Sequence, residues 1–129
     1  MKDWTASPVA VASVAESFDP DRLADLVSIE RERPGFKALV LDRFESHFRA
    51  SLEHLYQAAL VQDREQTERI VHRLQGSAAS FGATRLTALL RDLQAQLKDE
   101  PRFLVQEEMN RLRNAGAIAV ACYSQWLNQ

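Results

Sequence analysis

Apolar residues recur at three-and-four spacing through most of this chain, and a chain patterned in that way buries its greasy surface by packing helix against helix. The longest run is Leu39, Val40, Phe44, Phe48, Leu52, Leu55, Tyr56 and Ala59, which predicts one amphipathic helix from Phe36 to about Leu60. Asp63 opens the next, whose inward face reads Thr67, Ile70, Val71, Leu74, Ala78 and Phe81; Gly82 stands where a left-handed terminal glycine belongs. Leu86, Leu89, Leu90, Leu93 and Leu97 form a third stripe. Pro101 opens a final helix, with Phe103 or Leu104, Met109, Leu112, Ile118 and Ala119 pointing inward and Trp126 over the end of the core. Gly116 weakens that helix locally without ending it.

Ahead of these, SFDPDRLADLVSIERE carries Asp19 as an N-cap, Pro20 at the first helical position and Asp21 where the helix dipole favours negative charge. Pro34-Gly35 ends that helix or reorients the chain. Residues 1–17 read as a tail or a short helix, and residues 18–129 as one helical domain. No segment shows sustained two-residue alternation between turn signals, so no sheet is expected. The expected fold is all-α: an antiparallel up-and-down four-helix bundle with one or two short extra helices at its N-terminal end. At 129 residues the chain is one domain's worth and needs no disulfide or metal to hold its core.

Charge narrows the function classes. With 16 Lys plus Arg against 18 Asp plus Glu and no basic block, nucleic acid is not an expected partner. Alternating signs, as in IERER (29–33) and DREQTER (63–69), read as solvated helix faces. No stretch reaches the roughly 18 apolar residues that cross a bilayer. PVAVASVAES lacks the charge and the large aliphatic residues of a cleaved leader. Cys122, the lone cysteine, reads as a buried, reduced thiol, and a cytoplasmic location is expected.

One turn breaks the packing logic. HRLQGSAASFGA, residues 72–83, sets a histidine before Gly, Ser and Ala in the middle of a strong helix. At about 100° per residue, His72 projects roughly 140° from the centre of its helix's apolar face, so the ring faces solvent. Gly76 and Ala79 follow on nearly the same side, with Gln75 flanking. Small residues there clear space for a partner to approach the imidazole, although a mid-helix glycine costs roughly 1 kcal/mol relative to alanine. Two plainer readings stand beside this one: an exposed histidine that is merely exposed, and a GSAAS run that lets two helices approach closely.

HRLQGSAASFGATRLTALLRDLQ resembles the signature of histidine-containing phosphotransfer (HPt) domains. That signature runs His, any residue, an aliphatic residue, Lys, Gly, then Ser or Ala twice, followed by a Gly with a small or aliphatic residue and a leucine-rich helix. His72, Leu74, Gly76, Ser77, Ala78, Gly82, Ala83, Leu86 and Leu89 or Leu90 fit it, and DREQTERIVHRL resembles the family's approach to the motif. The resemblance implies that His72 is a phosphoacceptor, taking a phosphoryl group from a receiver-domain aspartyl phosphate and passing it to another receiver. An imidazole near neutral pH offers an unprotonated nitrogen for this without a special base. Further implications are receiver domains of a hybrid sensor kinase or response regulator as partners, docking over Arg69, Arg73 and Ala79, and a monomeric carrier. No cofactor of the chain's own, no metal site and no autonomous catalysis are expected, because the receiver brings the Mg²⁺ and a Lys.

The chain departs from the signature at Gln75, which stands where the family usually has Lys. A glutamine can still donate a hydrogen bond to a phosphoryl oxygen, without the charge that strengthens it. Arg69 and Arg73 on the same helix, or Arg91 and Lys98 on the next, are candidate substitutes. Some family members set a polar side chain of the following helix against the histidine ring; Gln94 has the right phase for that role, or is a plain surface glutamine.

The rival reading is a helical adaptor that binds receivers or another partner through the same surface without carrying phosphate. A metal-binding bundle is disfavoured, since His47 and His54 are seven apart where a helical metal pair wants i and i+4. Trp4 reads as an anchor for the tail or as a solvent-exposed ring. Phe44, Phe48 and Tyr56 are at core spacing, and no phosphate-cradling glycine loop or nucleophile elbow is present.

Overall fold

The computed structural model describes residues 14–100, 102 and 104–129. Six helices follow one another among the described residues: α1 (Val14–Ser17), α2 (Pro20–Glu32), α3 (Phe36–Leu60), α4 (Arg64–Phe81), α5 (Thr84–Asp99) and α6 (Gln106–Leu127). Among the described residues there is no strand, only an isolated bridge between Phe18 and Ala83. Trp4 and the PVAVAS stretch lie outside the described residues, as do Pro101 and Phe103.

The helix starts are local chemistry. Asp19 Oδ1 accepts from the Asp21 backbone N–H at 3.0 Å, and Asp63 Oδ1 from that of Gln66 at 3.1 Å, each satisfying one donor the helix leaves unpaired. Helix α3 begins differently. Its N-cap is Gly35 at φ 94°, and the carboxylate of Glu30 reaches across the turn to accept from Gly35 N (2.8 Å) and Lys37 N (2.9 Å). Glu30, which the sequence reads as part of a solvated face, is therefore the side-chain cap of α3. Helix α4 ends at Gly82, φ 90°, in the left-handed conformation.

The last helix starts at Gln106, five residues after the proline expected to open it. Glu108 sets that start: its Oε1 accepts from Val105 N at 3.2 Å, while both of its oxygens bind the Arg102 guanidinium at 2.8 and 2.7 Å. This clamp ties the α5–α6 connection to the first turn of α6.

Helices α3, α4, α5 and α6 pack in a closed circuit, each against two neighbours, with α2 against α3 and α1 against α6. Leu26, Phe48, Leu55, Ile70, Leu74, Leu90, Leu112 and Tyr123 are fully enclosed between them. At one end, Phe44 and Phe81 stack at 4.0 Å, Phe81 lies 4.8 Å from Tyr123, and Phe18 meets Phe81 edge-on at 5.2 Å. Trp126 is half-buried, edge-on to Tyr123 and under the Lys37 ammonium. Cys122 is buried, and burial is the main cause that pushes its thiol pKa up.

Three residues assigned to the core by spacing are exposed: Leu39 (45%), Tyr56 (38%) and Ile118 (43%). The reason is clearest at Ile118. A Cβ on Gly116 would lie 2.1 Å from Phe48 Cε2, so the Phe48 ring rests directly on the α6 backbone there and fixes which face turns inward. Ile118 is about 200° further round and points out, while Ala119 and Tyr123 point in. On α3, Phe44, Phe48, Leu52 and Leu55 take the inner face, leaving Leu39 and Tyr56 on its edges.

Candidate functional site

His72 lies in the middle of α4, away from both capped ends, and its ring is exposed. The inward side of the same turns is filled by Ile70, Val71, Leu74 and Ala78, all fully buried, so the register that buries them forces His72 outward. The ring does not stand alone. Gln94 of α5 places its side-chain Nε2 3.0 Å from His72 Nδ1, which ties the imidazole to the neighbouring helix by one nitrogen. Gln94 is half-buried at the edge of the α5 leucine stripe.

Gly76, one turn beyond His72, is exposed, and a Cβ built on it meets nothing within 4 Å. Ala79 is exposed one turn further along the same side. These residues leave a shallow clearing beside the ring. It continues into a notch of about 410 Å³ between α2 and α4, lined by Asp19, Asp21, Arg22, Asp25, Ala79 and Ser80. Arg22 Nε donates to the Ser80 carbonyl at 3.0 Å, which joins the two helices beside the notch. The acidic side of this notch is invisible to helical periodicity, because it arises only when α2 meets the end of α4.

The remaining site candidates divide by what holds them. Gln75 is half-buried, and its Oε1 is enclosed without a hydrogen-bond partner. Arg69 is exposed but engaged, donating to Gln66 Oε1 at 2.8 Å and lying 3.5 Å from Glu65. Arg73 is exposed, as are Arg91 and Lys98 on α5. Glu68, at i−4 from His72 and half-buried, belongs to the same face. The sequence places it only in the solvated DREQTER face, although the four-residue spacing that marks Gly76 marks it equally. No group of three or more His, Cys, Asp or Glu able to hold a metal ion occurs among the described residues, and His47 and His54 stand exposed on α3.

The site is thus an exposed imidazole, hydrogen-bonded at Nδ1 and facing a clearing. The chain matches the family model for the Hpt domain over residues 39–116, a segment that holds α4 and α5 whole with most of α3 and the first half of α6. This chain belongs to the Hpt domain family. Comparison with curated proteins and with solved structures gave no match.

Membership in the Hpt family ties the chain to phosphotransfer in two-component signalling, a family whose domains are phosphocarriers and interact with receiver domains. The Hpt fold is all-helical, as found here, and no described helix is long and apolar enough to cross a membrane.

Proposed function

We propose that this Hpt domain is a histidine phosphotransfer protein of a phosphorelay, accepting a phosphoryl group on His72 from one receiver domain and giving it to another. The observation that carries the reading is the His72 ring, exposed in mid-helix, held at Nδ1 by Gln94 and bordered by the open space over Gly76.

In the reacting form the ring proton sits on Nδ1 and the lone pair of Nε2 points outward. The Gln94 amide serves this tautomer by presenting its oxygen to Nδ1–H, which takes a half-turn of its last torsion from the orientation that presents nitrogen. Nε2 attacks the phosphorus of the receiver's aspartyl phosphate. An N–P bond forms, the acyl-phosphate P–O bond breaks, and its electron pair returns to the receiver carboxylate. The proton stays on Nδ1, so the imidazolium charge offsets part of the phosphoryl charge, and transfer onward runs through the same atoms in reverse. The receiver supplies the Mg²⁺ and the cation that neutralise charge during transfer; the Hpt domain supplies position.

The same reading assigns receiver docking to the face of Arg69, Arg73 and Ala79, with Gln75 and Gly76 beneath it. It makes the helix circuit an antiparallel up-and-down four-helix bundle, supported by the Tyr123 hydroxyl donating to the Lys37 carbonyl (2.9 Å) and by Phe48 against Gly116. Residues 18–129 form the carrier domain, acting as a monomer in the cytoplasm without a cofactor of its own.

The test is transfer from a phosphorylated receiver domain of a hybrid kinase to the protein and to His72→Gln. An acid-labile, alkali-stable label on the protein that vanishes in the variant supports the carrier. Receiver binding without label across a panel of receivers supports the adaptor instead, a reading that the neutral Gln75 favours.

A further inference from the structure

Phosphorylation of His72 sets a phosphoryl group of about −2 charge, only partly offset by the imidazolium, on a helix face that already carries carboxylates. Glu68 stands one turn before His72 and about 40° round the helix, and Glu65 two turns before at about 20°, so both lie on the phosphoryl side. Helix α4 offers little to offset them. Arg69 is engaged by Glu65 and Gln66, Gln75 is neutral, and Arg73, adjacent in sequence, diverges from His72 by about 100°.

The cation comes from the next helix. Only Gly82 and Ala83 separate α4 from α5, and His72 meets Gln94 across the groove between them. Three residues toward the connection on each helix, about 4.5 Å of rise, bring Gln75 level with Arg91. Four residues the other way bring Glu68 level with Lys98. The flank is fixed by α2, which packs on α3 and reaches Ser80 through Arg22. Ser80 lies about 80° round α4 from His72 in one sense, and Gln75 and Glu68 lie about 60° and 40° in the other, so these two line the α5 groove. Lys98 therefore faces a carboxylate and Arg91 a neutral amide.

Arg91 is exposed and makes no hydrogen bond or ion pair among the described residues. Level with it, Gln75 Oε1 is a buried acceptor without a donor. A guanidinium has five N–H donors in a rigid fork, enough for that oxygen and for two phosphoryl oxygens. We propose that Arg91 is the cation of the phosphorylated site, reaching over the α4–α5 groove to hydrogen-bond the phosphoryl group on His72 Nε2. The proposal rests on His72 being the phosphoacceptor. It makes α5 a two-point support for the site, with Gln94 on the ring and Arg91 on the phosphate.

The test is the equilibrium between a phosphorylated receiver and the protein, read as the fraction of label on His72, for wild type, Arg91→Ala, Arg91→Lys, Arg73→Ala, Lys98→Ala and the double variant Arg91→Ala with Gln75→Lys. Arg91→Ala is expected to lower the equilibrium constant about three- to tenfold, the range of a charge-assisted contact at a partly exposed site, with the loss shrinking at high salt. Arg91→Lys recovers part of it, Gln75→Lys restores it in the Arg91→Ala background, and Lys98→Ala loses less than Arg91→Ala. Direct labelling of each variant with potassium phosphoramidate, a small phosphoryl donor, separates the two levels of the argument. If the wild type takes no label on His72 from either donor, the phosphoacceptor reading fails. If the wild type is labelled and Arg91→Ala equals it, or the loss appears at Arg73→Ala instead, the Arg91 proposal is overturned and the carrier reading stands.

Discussion

His72 Nδ1 lies 3.0 Å from Gln94 Nε2, and this contact joins the exposed ring to the neighbouring helix. Gln94→Ala should slow phosphotransfer about fivefold, the worth of roughly 1 kcal/mol of lost orientation. Nitrogen chemical shifts of the His72 ring should move toward a free-imidazole tautomer mixture in the same variant. A Gln94→Ala protein with unchanged shifts and unchanged rate would show that the contact orients nothing.

Gly76 separates stability from function. A Cβ there meets nothing within 4 Å, so Gly76→Ala should raise the stability of the isolated protein by up to about 1 kcal/mol through helix propensity. Gly76→Leu should also fold well, because its side chain enters the same open space, yet it should block receiver binding in titration calorimetry. Normal binding by Gly76→Leu would mean that receivers do not use this clearing.

Gly116 should behave in the opposite way. Alanine there puts a Cβ 2.1 Å from Phe48 Cε2, an overlap that costs about 1–3 kcal/mol or more in urea denaturation even after the ring shifts. In a Phe48→Leu background the same change should cost far less, giving a coupling energy of about 1 kcal/mol or more. Additive losses would place the Phe48 ring elsewhere.

Acid should loosen two capped turns. Glu30 is held below the ordinary carboxylate range chiefly by the Lys37 backbone N–H and next by that of Gly35; Glu108 is held below it chiefly by the Arg102 side chain. Both pKa values are lowered on folding, so the stabilisation is complete above the ordinary glutamate range near about 4.3 and is lost as pH falls through the lower folded values. Denaturation midpoints followed downward from about pH 6 should therefore fall less steeply below about pH 4 in Glu30→Gln and Glu108→Gln, and both variants should be weaker than wild type at neutral pH. Parallel pH profiles for variant and parent would remove these carboxylates from the account.

Helix order, the Asp19 and Asp63 caps, the Gly82 terminus and the outward direction of His72 were all legible in the sequence, because each depends on residues within a turn or two of one another. The helix faces were less so. Ile118 was misplaced because the inward face of α6 is set by a ring from α3 lying on Gly116, an interaction between residues 68 positions apart that periodicity does not carry. The α6 start was misplaced for a similar reason: Pro101 is a strong local signal, but the Arg102–Glu108 pair moves the first turn to Gln106. At the site, the family resemblance and helical phase together pointed to Gln94 beside a plain surface reading, whereas the engagement of Arg69 by Glu65 and Gln66, though at i,i+4 and i,i+3 spacing, is one choice among the exposed rotamers open to it.

The family match begins at residue 39, but the end of α4 is held from upstream of that point. Asp19 N donates to Gly82 O at 2.9 Å, Arg22 donates to Ser80 O at 3.0 Å, and the Phe18 ring closes over Phe81 and Tyr123. The matched segment is thus shorter than the packed unit. A fragment cut at the homology boundary would keep every residue of the signature while leaving the Ser80 and Gly82 carbonyls to water and only Phe44 stacked on the terminal phenylalanine. That helix would fray from the connection backward, toward the glycine and then the histidine.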